Sequence, residues 1–375
     1  MKRLVLLGGG HAHVHVLAGL ALQPLAGWDV RLVTPYRRQI YSGMLPGWIA
    51  GHYPIEACAI TLDRLASAAA VAFHPTEGQA LDLAHRALHC ADGSALHFDA
   101  LSIDTGPVAA LHALPGSAEH ALPVRPIERF IEAWPRLVSR ILGQCRRFHL
   151  VILGAGAAGI ELAFAVQRRA ATDGWSHLYI TVVGADDLPL PGAPAAIRRR
   201  TARLLAQRGI TWVAARRATR LDATAIHFEQ GDALAFDACV ASTGAAAPTW
   251  PGASGLLTDA RGFVRVRSTL QSVSHPHVFA AGDVAAYAHE RPKSGVFAVR
   301  AGPVLARNLR AWCEARALAR WTPQARALYL ISTGDKHAMA TWGGWSWSGR
   351  WVWHWKDRID RQFMRRFDNP GSPGL

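Results

Sequence analysis

The chain has 375 residues, half of them apolar, which is enough to bury the cores of two or three domains and excludes general disorder. Its formal net charge is +14, with lysine only at positions 2, 293, 336 and 356 and arginine supplying 37 of the 41 basic residues, so two readings stay open: an anionic partner, or drift toward arginine. The five cysteines (Cys58, Cys90, Cys145, Cys239, Cys313) are odd in number and lack any C-x-x-C pair, which argues for a reducing compartment and against a local redox dithiol.

In chain order, the first expected element is a buried strand from Leu4 to Leu7, followed by GGGHAHVHVL and a helix from near His11. The basic start and apolar run have the look of a secretory leader. However, that run is only four residues long and no convincing A-x-A site follows, so a cleaved signal is not expected. Strand, glycine turn and helix instead suit a phosphate-cradling loop, in which Gly8 and Gly10 let the backbone approach a pyrophosphate. The spacing is G-x-G-x-x-H, with His13 where a third glycine normally lets helix and strand pack closely. Either the helix is displaced or His13 turns sideways to bond a backbone or loop group. His11 and His15 share a helix face, His13 points away, and no nearby Cys, Asp or Glu completes a set, so no metal is expected. The next strand, DVRLVTP, ends in Thr34 rather than the acid that would accept from a ribose, and Arg37 and Arg38 follow.

A second, cleaner unit comes with LVILGAGAAGIELAFAV, where Gly154, Gly156 and Gly159 have full G-x-G-x-x-G spacing behind a strand from Leu150 to Leu153. Two such units in one chain suggest two nucleotides bound by two related domains. After the second, YITVVGADD carries Gly184 at the acid position, and Arg198 to Arg200 read either as partners for a 2′-phosphate or as a solvated helix face; NADH against NADPH stays open. Nowhere do about 18 uninterrupted apolar residues occur, so a spanning helix is not expected. The tail holds six of the fourteen tryptophans (Trp342, Trp345, Trp347, Trp351, Trp353, Trp355), whose two-residue alternation predicts strands around a Ser348-Gly349 turn. KDRIDRQFMRRF then reads as a basic amphipathic helix with Ile359, Phe363, Met364 and Phe367 on one side, suited to an anionic bilayer surface, or alternatively to packing on the body or at a dimer interface.

On these two loops, and on DALSIDTG, DACVASTG, HVFAAGDVA and KSGVFAVRAGPVLARNL in order, the chain resembles the pyridine nucleotide-disulfide oxidoreductase superfamily of two-dinucleotide-binding-domain flavoproteins. Within it the chain looks closest to type II NADH dehydrogenases and sulfide:quinone reductases, and, on GGGHAHVHVL, YSGMLPGWIAGHY, KSGVFAVRAGP and WKDRIDRQFM, closer still to stand-alone relatives of the flavoprotein domain found fused ahead of selenophosphate synthetase. The resemblance implies an α/β fold: two Rossmann-like, doubly wound, three-layer nucleotide-binding domains and a small C-terminal strand/helix region. It implies an FAD-binding domain from 1–108 and 247–320, an NAD(P)H-binding domain over 109–246, and a Trp-rich region over 321–375.

The activity implied is hydride transfer from NAD(P)H to FAD and onward to a quinone-like acceptor. The alternatives are a flavoprotein acting on a sulfur or selenium compound and a non-catalytic, redox-responsive binding protein. For FAD the resemblance points to Gly8, Gly10, His11, Thr34, Arg38, Tyr41, Thr105, Gly106, Gly282, Asp283, Lys293, Gly295, Val296 and Phe297, and for NAD(P)H to Gly154, Gly156, Gly159, Glu161 and Gly244. Lys293, at the start of the helix aimed at the flavin pyrimidine, and Glu161, beside the nicotinamide, are the expected catalytic residues. Glu161 also reads simply as a helix-start carboxylate favoured by the dipole. The loop from Tyr41 to Gly47 is expected on the opposite flavin face, with Met44, Leu45 and Pro46 as an apolar wall. No cysteine matches a catalytic pair by position, which weakens sulfide and disulfide chemistry. The expected setting is cytoplasmic, peripheral on the inner face of the cell membrane, with a homodimer allowed and no nucleic acid as partner.

Overall fold

A computed structural model describes residues 1–368. The chain opens with β1 (Lys2–Leu7), α1 (His11–Leu22) and β2 (Trp28–Val33), then a short helix α2 (Leu45–Ile49) and β3 (Ala72–His74). An antiparallel three-stranded sheet, β4 (Gly78–Asp82), β5 (Ala87–Cys90) and β6 (Ala95–His97), precedes β7 (Ala100–Ile103). The second stretch contains β8 (Ala121–Pro123), α3 (Ile127–Leu142), β9 (Phe148–Leu153), α4 (Ala157–Asp173), β10 (Leu178–Val183), α5 (Ala195–Gln207), β11 (Thr211–Val213) and β12 (Ala238–Ala241). The chain then returns through β13 (Val278–Ala280) and α6 (Gly295–Cys313), and finishes with β14 (Leu328–Ser332), β15 (Ala338–Trp342), β16 (Trp345–Gly349) and α7 (Arg350–Asp368).

Two parallel five-stranded sheets result, in the orders β13-β7-β1-β2-β3 and β8-β12-β9-β10-β11. Their central strands are near-continuous apolar runs, Leu4–Leu7 and all six residues of β9 being buried, because helices cover both faces of a parallel sheet. The chain crosses between the sheets twice, and the two crossings pair as an antiparallel ribbon, Val108 with Ala246 and Ala109 with Ala245. β13 closes the first sheet against β7, so residues far apart in sequence share one core. α1 lies on α6, an approach allowed by Gly302, where an added Cβ would sit 2.4 Å from the His15 ring.

The tail departs from the sequence expectation in its turn. The hairpin reverses at Gly343-Gly344 rather than Ser348-Gly349, and the alternation of tryptophans continues into α7, which starts at Arg350. Gly349, at φ +154, lets the chain pass directly from β16 into the helix.

Candidate functional site

In the second loop, Gly154 takes φ +115, and a Cβ on it would lie 2.4 Å from the Ser242 carbonyl oxygen. Gly159 is required for another reason: its Cβ would stand 2.0 Å from the Gly154 oxygen. In the first loop Gly8 has φ +95 and is pressed against the Asp104 backbone in the same way, yet His13 occupies the third position. There the imidazole takes over the contact. His13 is fully buried, its Nδ1 lies 2.6 Å from the Gly8 oxygen and its Nε2 2.8 Å from Ser102 Oγ. A carbonyl only accepts, so Nδ1 carries the proton and Ser102 donates to Nε2. Burial pushes the His13 pKa down to about 4, which keeps the ring neutral.

Asp104 was not singled out from the sequence. Its carboxylate accepts from the Ala12 and His13 backbone N–H groups at 2.7 and 2.9 Å, capping α1 from outside the helix. Burial pushes its pKa up to about 7, with the neighbouring Asp283 adding to the rise and the two N–H bonds opposing it.

A cavity of about 600 Å³ opens in front of this loop. Of the residues expected around a flavin, Gly8, Gly10, His11, Thr34 and Arg38 line it, as do Thr105, Gly106, Asp283 and Gly295. Arg125 and Arg129, just before and within the first turn of α3, add positive charge, and Arg125 Nη1 stands 3.3 Å from Asp283 Oδ2. Burial raises the Asp283 pKa, and Arg125 and Lys293 hold it back. The Oε1 atom of Gln39 and Oγ of Ser294, at the mouth of α6, are buried with no partner among the described residues.

Tyr41, Gly282, Lys293, Val296 and Phe297 lie outside the lining. Gly282, at φ +70, lets Asp104 approach, since a Cβ would meet its Oδ1 at 2.5 Å. Lys293 turns its Nζ away to the Ala285 oxygen, 2.6 Å, over the Phe263 ring at 3.7 Å, and burial lowers its pKa to about 8. The apolar wall expected from Met44, Leu45 and Pro46 points inward: these residues are buried, and Leu45–Ile49 is a helix packed in the core. Tyr41 stacks on Phe363 of α7, centroids 4.5 Å apart.

At the second loop, Gly156 and Gly244 face open space, and Thr243 Oγ1 is buried with no partner among the described residues. Glu161 does not act as a helix-start carboxylate, because α4 begins at Ala157 and Glu161 lies beyond its first turn. Its Oε1 accepts instead from the Ser332 N–H of β14 at 2.8 Å, and burial pushes its pKa up to about 7 against the pull of Lys356. Lys356 and Asp360, one turn apart on α7, form a buried ion pair at 2.6 Å, and Lys356 also donates to the Gly43 oxygen at 2.5 Å. Both lie in the stretch KDRIDRQFMRRF, whose sequence pattern is that of a basic surface helix. The one signal available was that Lys356 is among four lysines in the whole chain. Near Gly184, Arg198 is spent on the Leu188 and Pro189 oxygens, whereas Arg199 and Arg200 are exposed.

α7 divides its apolar residues differently from the sequence expectation. Phe363, Met364 and Phe367 face the body, while Ile359 joins Trp351 and Trp355 on the exposed side. Trp342 and Trp345, 54% and 72% exposed, extend that surface onto the hairpin. No described helix is long and apolar enough to cross a membrane. None of the five cysteines, all free thiols, lines the cavity.

The sequence profile of the pyridine nucleotide-disulphide oxidoreductases matches residues 2–302. A demethylphylloquinone reductase of Synechocystis is 24% identical over 292 residues, 75% of this chain and 71% of the relative. An NADH dehydrogenase-like protein of Mycobacterium tuberculosis is 26% identical over 301 residues, 76% and 73% of the two chains. Among solved structures, NDH2 of Plasmodium falciparum in complex with NADH superposes with a TM-score of 0.83 at 13% identity, covering 100% of this chain and 99% of that one. The sulfide:quinone oxidoreductase of Aquifex aeolicus gives 0.81 at 16%, covering 99% and 92%. With four-fifths of its length matched by that profile and both glycine loops folded as strand–turn–helix units, the chain belongs to the pyridine nucleotide-disulphide oxidoreductase family.

Proposed function

We propose that the protein is an FAD-dependent oxidoreductase that takes hydride from NAD(P)H and passes the electrons to a quinone-like acceptor. The observation that carries this reading is the cavity that runs from the first glycine loop to the N-terminus of α6, in a chain that folds a second glycine loop as the same strand–turn–helix unit. The names of the two curated relatives, a demethylphylloquinone reductase and an NADH dehydrogenase-like protein, support donor and acceptor.

The donor set fits the flavin. Gly8 and Gly10 with Arg38, Arg125 and Arg129 suit a diphosphate, Thr34 a ribose, Asp283 the hydroxyls of a ribityl chain, and the orphaned Gln39 oxygen the N–H of a polar ring edge. Bound FAD supplies a two-electron carrier that the side chains lack. The N-terminus of α6 presents positive charge toward the cavity, and Lys293, held on Ala285, adds to that field without lining the site. Lys293→Met therefore lowers the reduction potential of the bound flavin, and an unchanged potential removes the assignment.

Moving two electrons from NAD(P)H to a quinone consumes one proton from solvent per turnover. Glu161, with a pKa near 7 beside Lys356, is the group suited to holding it at a carboxylate oxygen. Anaerobic mixing with NADH and with NADPH tests the whole reading: bleaching of the flavin absorbance by one or both, restored by a quinone, is expected. Failure with both nucleotides overturns it.

The exposed tryptophans of the tail and hairpin, together with the exposed Arg358, Arg365 and Arg366 of α7, support a peripheral attachment to anionic bilayers, which would bring the protein to a membrane-dissolved acceptor.

A further inference from the structure

We propose that His74, Cys90 and Asp92 form an exchangeable binding site for a zinc-class divalent cation, independent of the nucleotide chemistry. The three ligand atoms, an imidazole nitrogen, a thiol sulfur and a carboxylate oxygen, all lie within 4.8 Å of one another. In a tetrahedral zinc site, bond lengths of about 2.0 to 2.3 Å put ligand atoms about 3.3 to 3.8 Å apart, so the side chains need to draw together by roughly 1 Å. Part of that approach already exists, since His74 Nε2 is 3.0 Å from Asp92 Oδ2.

The fold presents these groups together for reasons unrelated to the cavity. His74 ends β3, the edge strand of the first sheet, and Cys90 ends β5. The turn after Cys90 is closed by the Cys90 N–H to the Ser94 oxygen at 2.9 Å and the Gly93 N–H to the Cys90 oxygen at 3.0 Å, with Gly93 at φ +83. That turn sets Asp92 beside Cys90 and opposite His74. Ser94 Oγ stands 2.7 Å from Asp92 Oδ1 and 3.2 Å from His74 Nε2, which gives the carboxylate an orienting hydroxyl.

Cys90 is 5% exposed whereas the Asp92 side chain is 44% exposed, so a cation has a way in and a water can complete its shell. A sulfur–nitrogen–oxygen set selects a borderline metal of the zinc type over calcium or magnesium. On binding, the Cys90 thiol proton leaves to solvent, the resulting thiolate and the Asp92 carboxylate balance the 2+ charge, and nothing is oxidised or reduced. The backbone of the site is held in the same sheet edge: the His74 oxygen accepts from the Thr34 and Thr76 N–H groups at 3.2 and 2.9 Å.

Cobalt(II) is the probe. Titrated into chelator-treated, flavin-loaded full-length protein, it should give d–d absorption bands to the red of the flavin with the intensity of a four-coordinate thiolate site. The bands should saturate at one equivalent and be displaced by zinc. Cys90→Ser and Asp92→Ala should each lose the bands and weaken binding at least about tenfold, while Cys145→Ser, at an exposed thiol elsewhere, keeps them. Flavin content and far-ultraviolet circular dichroism report whether each variant has folded, and Asp92→Ala, in an exposed turn, decides the matter if Cys90→Ser has not. Absence of the bands in the parent protein, or their retention in a folded Cys90 or Asp92 variant, overturns the proposal.

Discussion

His13 and Gly159 hold equivalent places in the two loops and solve one problem in opposite ways. Gly159 lets the helix touch the Gly154 carbonyl directly, whereas His13 inserts a ring and makes the Gly8 carbonyl its acceptor. Removing the ring leaves that carbonyl and Ser102 without partners in a dry interior. His13→Ala should therefore cost about 2 to 4 kcal/mol in chemical denaturation, from two lost hydrogen bonds and a cavity together. A loss below 0.5 kcal/mol would mean that the ring carries no such contact. Asp104 gives a pH dependence at the same scale. Its folded pKa of about 7 lies above the usual carboxylate value of about 3.9, so folding favours the protonated acid. The contribution is fully present below about pH 4 and is lost as pH rises toward 7. Asp104→Asn should flatten that limb of the stability-against-pH curve, and an unchanged curve would show that Asp104 ionises normally.

The strands and the glycine loops were legible in the sequence because their signals are local: apolar runs for buried parallel strands, and glycines at fixed spacing where the backbone must turn or approach another chain segment. α7 was half legible. Tryptophans at every second position describe a strand, and only the packing of Val352, Trp353, Phe363 and Phe367 on the body makes the segment a helix that sends Trp351 and Trp355 outward. Nor could spacing reveal that Lys356 turns inward, since its acceptor, the Gly43 carbonyl, is 313 residues away. Breaking that pair by Asp360→Asn leaves a buried ammonium without its counter-charge and should destabilise the protein by about 3 to 5 kcal/mol, whereas joint replacement of Lys356 and Asp360 by Met and Leu should recover much of the loss. On the outer surface shared by the hairpin and this helix, Trp345→Ser with Trp351→Ser should sharply reduce sedimentation with anionic vesicles and leave flavin content unaltered. Sedimentation equal to that of the parent protein would defeat the membrane reading.

At the scale of the molecule, two loops of one architecture sit on two sheets between which the chain crosses by an antiparallel ribbon. If the first holds FAD and the second NAD(P)H, damage to one should be separable from damage to the other. Gly10→Ala places a methyl 2.5 Å from the Asp104 carboxyl carbon, and Gly159→Ala places one 2.0 Å from the Gly154 oxygen. The first methyl forces the start of α1 away from Asp104 at the end of β7, and the second forces α4 away from the Gly154 turn that follows β9. Gly10→Ala should be purified with little flavin and should regain little on incubation with FAD. Gly159→Ala should keep its flavin and be reduced normally by dithionite, yet be bleached by NADH or NADPH about ten- to a hundredfold more slowly, because a displacement of roughly 1 Å in donor placement is enough for such a loss. Stopped-flow reduction together with flavin content distinguishes the outcomes. Equal flavin loss in both variants, or nicotinamide reduction at the parent rate in Gly159→Ala, would refute the division of labour between the two loops.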